Sequence, residues 1–327
     1  MTLGITVGKF YPLHLGHDHL IRTAKGQVDH LVVLVGFKPG QELPGSLRAS
    51  WIRELHPEVE VIEVLEDIPE APEPWARRAL EVLAGRRPDL VFTSEPYGEP
   101  WAELLGARHH AVDPERTAWP VSGTLLRRDP GAHWHLLAPP ARAWLARRIC
   151  VLGVESSGTT TLAQALAEHY RTVWVPEYGR WYWEGRRHTP DSGRWDTGEL
   201  VRIARGQAAW EEDLAHRANR VVICDTDPLA THVWHRRYLG FYAREVEQIA
   251  ARRPYDLSIL TLPDFGFVQD GTRDGEHIRL QMHEWFVEVL QSHGRRFITV
   301  GGPPGQRLAE AVRHIDPLLA FPPLAEP

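Results

Sequence analysis

The segment GKFYPLHLGH carries two glycines, a lysine and two histidines between a predicted strand and a predicted helix. Gly8 and Gly16 let the backbone come close to a phosphate, and Lys9 supplies a positive charge. His14 and His17 can donate hydrogen bonds to phosphoryl oxygens as negative charge develops in a transition state. The spacing therefore favours a phosphate-transfer site. A turn with two surface histidines is the structural alternative, and a metal site is a weaker one.

A second glycine-rich segment, GVESSGTT, also lies between a predicted strand and a predicted helix. It fits the frame GxxxxGK(S/T) of a P-loop, whose backbone N–H groups cradle phosphates. Thr159 stands where the lysine of that frame normally reaches the β and γ phosphates, so a loop that only caps a helix is the alternative. The ATP-binding residues predicted here are Gly153, Glu155, Ser156, Ser157, Gly158, Thr159, Thr160 and Thr161.

Carboxylates follow two later predicted strands. Glu177 stands where a carboxylate could accept the proton of an attacking hydroxyl group. Asp225 and Asp227, at the end of RVVICDTD, are typical of a Walker-B-like site for Mg²⁺ and substrate hydroxyls, although both could merely cap the next helix. We expect Thr160 and Asp225 to bind Mg²⁺. Glu177, Tyr178, Asp225 and Asp227 are the predicted substrate contacts.

The stretch DFGFVQDGTRDGEHIR is polar and punctuated by glycines. These properties predict a lid that closes cations over bound phosphates. An arginine supplied from a distance can stabilise a transferred phosphoryl group. We therefore expect Arg273 and Arg279 to bind ATP and to replace the charge that Thr159 lacks.

Strand-like runs alternate with helical stretches through both halves, beginning with GITVG, HDHLIRTAKG, HLVVLVGF and SLRASWIREL. This alternation predicts an α/β fold with mainly parallel sheets. Pro139 and Pro140 mark a break between the halves. We expect a Rossmann-like domain at residues 1–140 and a P-loop domain at residues 146–327. The proline-rich end, DPLLAFPPLAEP, predicts a loose tail.

Composition limits the function classes. The chain has 327 residues, which suits two domains, and its net charge of −6 disfavours a protein that coats nucleic acid. Cys150 and Cys224 lie in apolar runs, which favours reduced thiols and a cytoplasmic location. No apolar run reaches membrane-spanning length, and Met1 leads almost directly into the first strand. Neither membrane insertion nor a signal peptide is therefore expected.

The residues HLGH resemble the (H/T)xGH signature of the nucleotidyltransferase superfamily, and WPVSGTLLRR resembles its second signature, SxTxxR. That family transfers an adenylyl or cytidylyl group to a phosphate and releases pyrophosphate. The resemblance implies that Ser122, Thr124 and Arg127 hold the β and γ phosphates. It implies ATP-binding roles for Gly8, Phe10, Gly16, Ser94, Tyr97, Ser122, Gly123 and Thr124. The catalytic residues it implies, together with the P-loop half, are Lys9, His14, His17, Arg127, Glu177 and Asp225.

The longer form GKFxPxHxGH looks like the nicotinamide mononucleotide adenylyltransferase branch. SEPYG and DPER look like the NadR type, in which that transferase is fused to a ribosylnicotinamide kinase. The resemblance implies that SEPYG forms the adenosine side of the pocket. Arg48 could be a pocket residue or lie on a solvated helix face. The aromatic residues of VWVPEYGRWYWE are mostly core by default, although one could stack on nicotinamide.

The resemblance implies phosphorylation of nicotinamide riboside and adenylylation of the mononucleotide to NAD, with ATP and Mg²⁺ used in both domains. Some members begin with a helix-turn-helix repressor domain, whereas this chain begins at the first transferase strand, so DNA binding is not expected. A homo-oligomer remains open. One rival is an adenylyltransferase for another acceptor, such as phosphopantetheine. A second rival is a transferase fused to a non-catalytic or weakly catalytic nucleotide sensor, which Thr159 permits.

Overall fold

Two parallel five-stranded sheets organise the computed structural model, which describes residues 1–252, 254–267 and 275–325. The expected α/β fold with two mainly parallel sheets is confirmed. Unit 1 comprises Met1–Ala141 together with residues 321–325, and unit 2 comprises Arg142–Ala320.

The sheet of unit 1 has the strand order β3-β2-β1-β4-β5, which is the order of the Rossmann fold. Its strands are β1 (Leu3–Gly8), β2 (His30–Phe37), β3 (Glu60–Leu65), β4 (Leu90–Thr93) and β5 (Arg108–Ala111). Its helices are α1 (Leu15–Lys25), α2 (Gly45–Leu55), α3 (Pro72–Val82), α4 (Gly98–Leu105) and α5 (Gly123–Arg128), and a 3₁₀ turn spans Trp134–Leu136. Ile5, Val32, Leu34 and Val91 are fully buried, because helices cover the parallel strands. The strand order reverses between β1 and β4, where open sheets of this kind bind ligands.

The sheet of unit 2 has the order β10-β9-β6-β8-β7. Its strands are β6 (Arg147–Leu152), β7 (Trp174–Val175), β8 (Val221–Asp225), β9 (Leu257–Thr261) and β10 (Phe297–Val300). Its helices are α7 (Thr159–Tyr170), α8 (Tyr178–Arg186), α9 (Thr197–Ala215), α10 (Pro228–Leu239), α11 (Arg244–Ala251), α12 (Arg279–Ser292) and α13 (Pro304–Ile315), with 3₁₀ turns at Glu276–Ile278 and Asp316–Leu319. Cys150 and Cys224 are free, buried thiols. Among the described helices, none combines the length and apolar character that crossing a membrane requires.

Helix α6 (Pro139–Leu145) contains the division between the two units. Pro139 and Pro140, expected near the break between the halves, form the first turn of this helix, where proline lacks only an N–H group that would be unpaired anyway.

The proline-rich end of the chain packs on unit 1 and is not a loose tail along its described residues. The Phe321 ring lies against Trp134, with ring centroids 5.2 Å apart. The Leu324 amide donates to the Arg127 carbonyl oxygen at 2.9 Å. The second domain expected from the sequence, residues 146–327, includes residues 321–325, whereas these contacts place them in unit 1.

Candidate active sites

The first turn of α1 is held by the two predicted histidines. His14 is the N-cap residue, and its Nδ1 accepts a hydrogen bond from the His17 amide at 3.2 Å. The His17 Nδ1 accepts in return from the His14 amide at 3.4 Å, so the pair forms a reciprocal capping box. Because Nδ1 accepts in both rings, the hydrogen of each neutral imidazole is on Nε2. Each ring therefore keeps one donor for a ligand.

The two imidazoles stack on each other, with ring centroids 3.5 Å apart, and Phe10 packs edge-on against His17. Burial, followed by the positive charge of Arg116, lowers the pKa of His14 from 6.5 to about 3. Burial, His14 and Arg116 together lower the pKa of His17 well below its usual value. Both rings are therefore neutral donors in the ligand-free protein at neutral pH.

We expect both rings to stay neutral in the ligand-free protein between about pH 8 and pH 5, where an unperturbed histidine would gain a proton. Their folded pKa values lie below the unfolded value, so the unfolded chain binds more protons and stability falls as the pH drops below about 6.5. The ring ¹⁵N chemical shifts report protonation directly. Spectra of His14→Asn and His17→Gln assign the signals, and a midpoint near 6.5 for either ring would contradict this prediction.

These rings line a cavity of about 530 Å³ beyond the carboxyl ends of β1 and β4. The expected transferase residues that line it are Gly8, Lys9, Phe10, His14, Gly16, His17, Ser94, Tyr97, Ser122 and Gly123. A Cβ atom at Gly16 would lie 3.1 Å from the His14 Nδ1, so a larger residue at this position would crowd the imidazole ring. Thr124 and Arg127 are not among the described lining residues.

The second transferase motif forms the start of α5. Ser122 is its N-cap residue, and the Ser122 hydroxyl oxygen accepts from the Leu125 amide at 3.2 Å. The Arg127 guanidinium donates to the Tyr11 carbonyl oxygen and to the Thr124 hydroxyl oxygen, both at 3.0 Å. These contacts fasten α5 to the loop that precedes His14. Phosphate contacts of Thr124 and Arg127 stay predictions.

A buried arginine supports the backbone that carries Lys9. The Lys9 ammonium pairs with Glu70 at 2.7 Å, and the Lys9 carbonyl oxygen accepts from the Arg48 guanidinium. Arg48 also donates to the carbonyl oxygens of Leu43 (2.9 Å) and Gly36 (2.8 Å). Its side chain is fully buried, and burial lowers its pKa. Arg48 therefore lies neither on a solvated helix face nor among the described residues of the cavity wall.

Replacing Arg48 with leucine is expected to destabilise unit 1 by about 3 kcal/mol or more, because three buried carbonyl oxygens lose their donor. Urea unfolding of the purified protein measures the change. Arg53→Leu, which alters an exposed arginine of the same helix α2, is the matched control. Equal free energies of unfolding for the two variants would show that the Arg48 contacts contribute nothing.

The loop 113–119 also lines the cavity, and the sequence analysis gave its residues no individual role. The Asp113 carboxylate accepts hydrogen bonds from three backbone amides, including that of Trp119 at 3.1 Å. This turn brings Arg116 and Trp119 to the cavity wall, and Arg116 pairs with Glu95 at 2.7 Å. The Asp-Pro pair at the start of the loop is a turn signal that could have located it.

In unit 2, the P-loop joins β6 to α7. Ser156 (φ 58°) and Gly158 (φ 83°) have left-handed backbone conformations. A Cβ atom at Gly153 would lie 2.4 Å from the Ser157 Oγ, so only glycine fits there. Ser157 itself is buried, and its hydroxyl group bonds to the Val154 carbonyl oxygen at 2.6 Å. Ser157 therefore stabilises the loop from within and does not line the cavity beside it.

That second cavity has a volume of about 360 Å³. The expected kinase residues that line it are Gly153, Glu155, Ser156, Gly158, Thr159, Thr160, Thr161, Glu177 and Asp225. Burial raises the pKa of Asp225 to about 6, although hydrogen bonds from the Thr160 and Thr159 hydroxyls oppose this rise. A bound cation would stabilise the charged carboxylate. The adjacent oxygens of Thr160 and Asp225 therefore fit a magnesium ion.

Two residues of unit 2 that were predicted to contact substrate, Asp227 and Tyr178, contact other parts of the protein instead. Asp227 is the N-cap residue of α10, and its carboxylate accepts from the Ala230 amide at 2.8 Å. The Tyr178 ring packs against Trp210, with ring centroids 4.9 Å apart. Neither side chain is among the described residues that line the cavity. The capping alternative thus applies to Asp227, while Asp225 faces the cavity.

The two arginines expected in a lid are placed differently. Arg273 lies outside the described residues. Arg279 is the first residue of α12, and its guanidinium donates to the carbonyl oxygens of Ser156 (3.1 Å) and Phe265 (3.2 Å). Arg279 therefore contacts the backbone of the P-loop and is not a described part of the cavity wall.

Other side chains on the cavity wall of unit 2 were not expected: Arg180, Trp195, Trp234 and Tyr238. Trp195 and Tyr238 are stacked, with ring centroids 5.2 Å apart, and Trp183 lies 5.9 Å from Trp195. Arg180 follows Glu177 by three residues at the start of α8, and this helical spacing could have drawn attention to it. Trp234 and Tyr238 lie four residues apart on α10, but Trp183 and Trp195 come from an earlier part of the chain, so no local pattern brings the two pairs together.

Fold and sites define an α/β protein with two units, each of which has a cavity beyond the carboxyl ends of its strands, and unit 2 contains a P-loop. The AAA domain profile matches residues 148–307. Over 325 residues, the chain is 30% identical to the trifunctional NAD biosynthesis/regulator protein NadR of Escherichia coli (strain K12), covering 91% of this chain and 78% of that protein. The Salmonella typhimurium protein of the same name is 29% identical over 322 residues, with the same coverage. The chain belongs to the NadR family.

Solved NadR structures share the fold. A crystal structure of NadR protein in complex with NR superposes with a TM-score of 0.73, at 20% identity, over 100% of this chain and 98% of that chain. A second, in complex with NAD and AMP-PNP, has a TM-score of 0.71 at 22% identity, covering 98% and 97%.

Proposed function

We propose that the protein is a bifunctional enzyme of NAD salvage. Unit 1 adenylylates nicotinamide mononucleotide to NAD, and unit 2 phosphorylates nicotinamide riboside to the mononucleotide. The observation that carries the proposal is the His14–His17 capping box, which presents two neutral Nε2–H donors to a cavity at the strand-order reversal of unit 1. The family and the ligands named for the two NadR crystal structures support it.

In unit 1, a phosphate oxygen of the mononucleotide attacks the α-phosphorus of ATP. The bond from that phosphorus to the bridging oxygen breaks, and pyrophosphate leaves. Lys9 and the Nε2–H groups of His14 and His17 stabilise the charge that develops on the triphosphate. No covalent enzyme intermediate is required, because positioning and charge neutralisation suffice for an in-line displacement. Trp75 and Trp119 on the cavity wall offer flat faces for the nicotinamide ring.

In unit 2, the 5′-hydroxyl oxygen of nicotinamide riboside attacks the γ-phosphorus of ATP. The bond to the bridging oxygen breaks, ADP leaves, and Glu177 accepts the hydroxyl proton. Thr160 and Asp225 would hold Mg²⁺, which would supply positive charge to the phosphates of ATP. The pyridinium ring of the riboside is a flat cation. The aromatic wall around Trp195 and Tyr238 suits such a ring through cation–π attraction.

A second candidate for unit 2 is a nucleotide sensor with little or no kinase activity. Thr159 in place of the P-loop lysine favours it, because that lysine normally neutralises the transferred phosphate. The buried Asp225 beside Thr160 favours the kinase, because carboxylates whose pKa is raised by burial in a cavity are typical of catalytic sites. The buried, free thiols of Cys150 and Cys224 suit a reducing compartment, and we propose the cytoplasm.

Assays with ATP and Mg²⁺ test both activities on the purified protein. Nicotinamide riboside alone should give the mononucleotide and then NAD, whereas nicotinamide mononucleotide should give NAD with one pyrophosphate. Phosphopantetheine should not be adenylylated. NAD formation from the mononucleotide without any use of the riboside would favour the sensor, and equal use of phosphopantetheine would refute the assigned acceptor.

A further inference from the structure

The P-loop of unit 2 lacks the lysine that would contact the phosphoryl group being transferred, since Thr159 occupies its position. The threonine side chain carries no positive charge, and the Thr159 hydroxyl group donates a hydrogen bond to the Asp225 carboxylate. Three carboxylates line the same cavity: Glu155, Glu177 and Asp225. A triphosphate would add further negative charge, so even with Mg²⁺ bound the position of the missing lysine favours a cationic side chain from another element.

Several arginines near the loop are directed to other partners. Arg307 is buried and donates to the carbonyl oxygens of Gly302 and Ser157. Arg237 pairs with Glu155 at 3.4 Å, and Arg279 donates to backbone carbonyl oxygens. None of these three guanidinium groups is a described part of the cavity wall.

Arg180 is the single lysine or arginine among the described residues that line this cavity. It lies in the first turn of α8, three residues after Glu177, at the carboxyl end of β7. Its positive charge is near enough to lower the pKa of the buried Asp225. Arg180 is half-buried, and it shares the cavity with Thr160 and with the aromatic wall.

We propose that Arg180 supplies the positive charge that Thr159 cannot, by binding the γ-phosphoryl group of ATP during its transfer. This inference rests on the proposed kinase function of unit 2. The guanidinium keeps its proton throughout and offers two parallel donors to phosphate oxygens. It approaches from α8, on the side of Glu177, whereas a P-loop lysine would approach from α7.

The test compares Arg180→Gln, Arg180→Lys, Thr159→Lys and the double variant Thr159→Lys/Arg180→Gln. Arg205→Gln, at an exposed arginine of α9, is the matched control. Each protein is assayed for phosphorylation of nicotinamide riboside and, as an internal check of folding, for NAD formation from the mononucleotide. Calorimetric titration with Mg²⁺ and AMP-PNP measures the two nucleotide sites without turnover.

We expect Arg180→Gln to lower kcat for the riboside by about a hundredfold or more, with the Lys variant in between and NAD formation unchanged. The double variant Thr159→Lys/Arg180→Gln should have a kcat for the riboside at least about tenfold higher than that of Arg180→Gln, because the new lysine returns a positive charge to the same phosphate. One of the two AMP-PNP binding events should weaken in Arg180→Gln.

Kinase activity of Arg180→Gln within about threefold of the Arg205→Gln control would overturn the role of Arg180 while leaving the kinase assignment intact. Failure of Thr159→Lys to rescue, although active by itself, would also overturn it. If the native protein phosphorylates no riboside, the kinase function itself fails. The role of Arg180 in transfer then fails with it, and AMP-PNP decides only the nucleotide contact: unchanged binding in Arg180→Gln overturns that contact, and selective weakening of one site supports it.

Discussion

Replacing His14 with asparagine is expected to lower the rate of NAD formation from the mononucleotide by about a thousandfold, while α1 keeps its first turn. Asparagine is a good N-cap residue, so its side chain can still accept the His17 amide. What the variant loses is the Nε2–H donor of the imidazole, because the shorter asparagine side chain ends near the Nδ1 position and its NH2 group does not reach the Nε2 position. Glutamine at position 17 can still accept the His14 amide and keeps an NH2 donor, so His17→Gln tests the need for the imidazole ring and not the loss of a donor.

Control variants separate the effect of losing the Nε2–H donor of His14 from the effect of losing the N-cap of α1. His14→Ala removes both, so we expect a similar loss of rate and an additional loss of about 1 kcal/mol of stability. His19→Asn, on the same helix but not a described part of the cavity wall, should leave the rate unchanged. Stopped-assay measurement of NAD, with riboside phosphorylation as the folding check, gives the comparison. A His14→Asn protein with more than about a tenth of native activity would exclude donation from Nε2 as a major contribution.

Asp225→Asn is expected to reduce riboside phosphorylation by about a thousandfold, because it removes the charged oxygen ligand proposed for Mg²⁺. The same variant should be more heat-stable than the native protein in metal-free buffer. Burial raises the pKa of Asp225 to about 6, so the folded protein stabilises its charged form less well than water does. Asparagine has the same shape without that cost. Kinase rates and thermal unfolding of the same preparation measure both effects.

Asp227→Asn is the informative comparison, because asparagine preserves the N-cap of α10 and the residue lies outside the described cavity wall. We expect it to lose less than about tenfold in kinase rate. Equal losses in the two variants would mean that both aspartates contact substrate or metal, as the sequence pattern alone permits. Loss of stability in Asp225→Asn would instead show that its carboxylate serves the fold.

The sequence predicted the parts of each site that depend on the succession of a strand, a turn and a helix along the chain. A strand, a glycine turn and a helix start together place His14, His17 and Thr160, because the chain direction at a strand end determines where the next helix begins. Asp225 and Asp227 show the limit of such reasoning. Asp225 is the last residue of β8 and Asp227 follows it by two, yet the first side chain faces the cavity and the second caps α10. The motif contains no signal that separates these two directions.

Residues that act through distant partners could not be predicted. Arg48 is a charged residue in an ordinary helical pattern, and its burial depends on carbonyl oxygens of Lys9 and Gly36 that the pattern does not reveal. The spacing of Arg180 from Glu177 places it near a candidate carboxylate, but that spacing does not relate Arg180 to the P-loop position occupied by Thr159. Only the tertiary fold brings α8 to the same cavity as the P-loop.

The return of residues 321–325 to unit 1 has a consequence for biosynthesis. A ribosome makes Met1–Ala141 first, yet the residues that pack on Trp134 and bond to the Arg127 carbonyl emerge only after all of unit 2. During translation, the Arg127 carbonyl oxygen of α5 and the Trp134 ring of the nascent first unit therefore lack these partners until unit 2 has been synthesised. Domains usually mature in order from the N-terminus. Here the earlier unit is finished last, so a ribosome that stalls within unit 2 leaves both units incomplete.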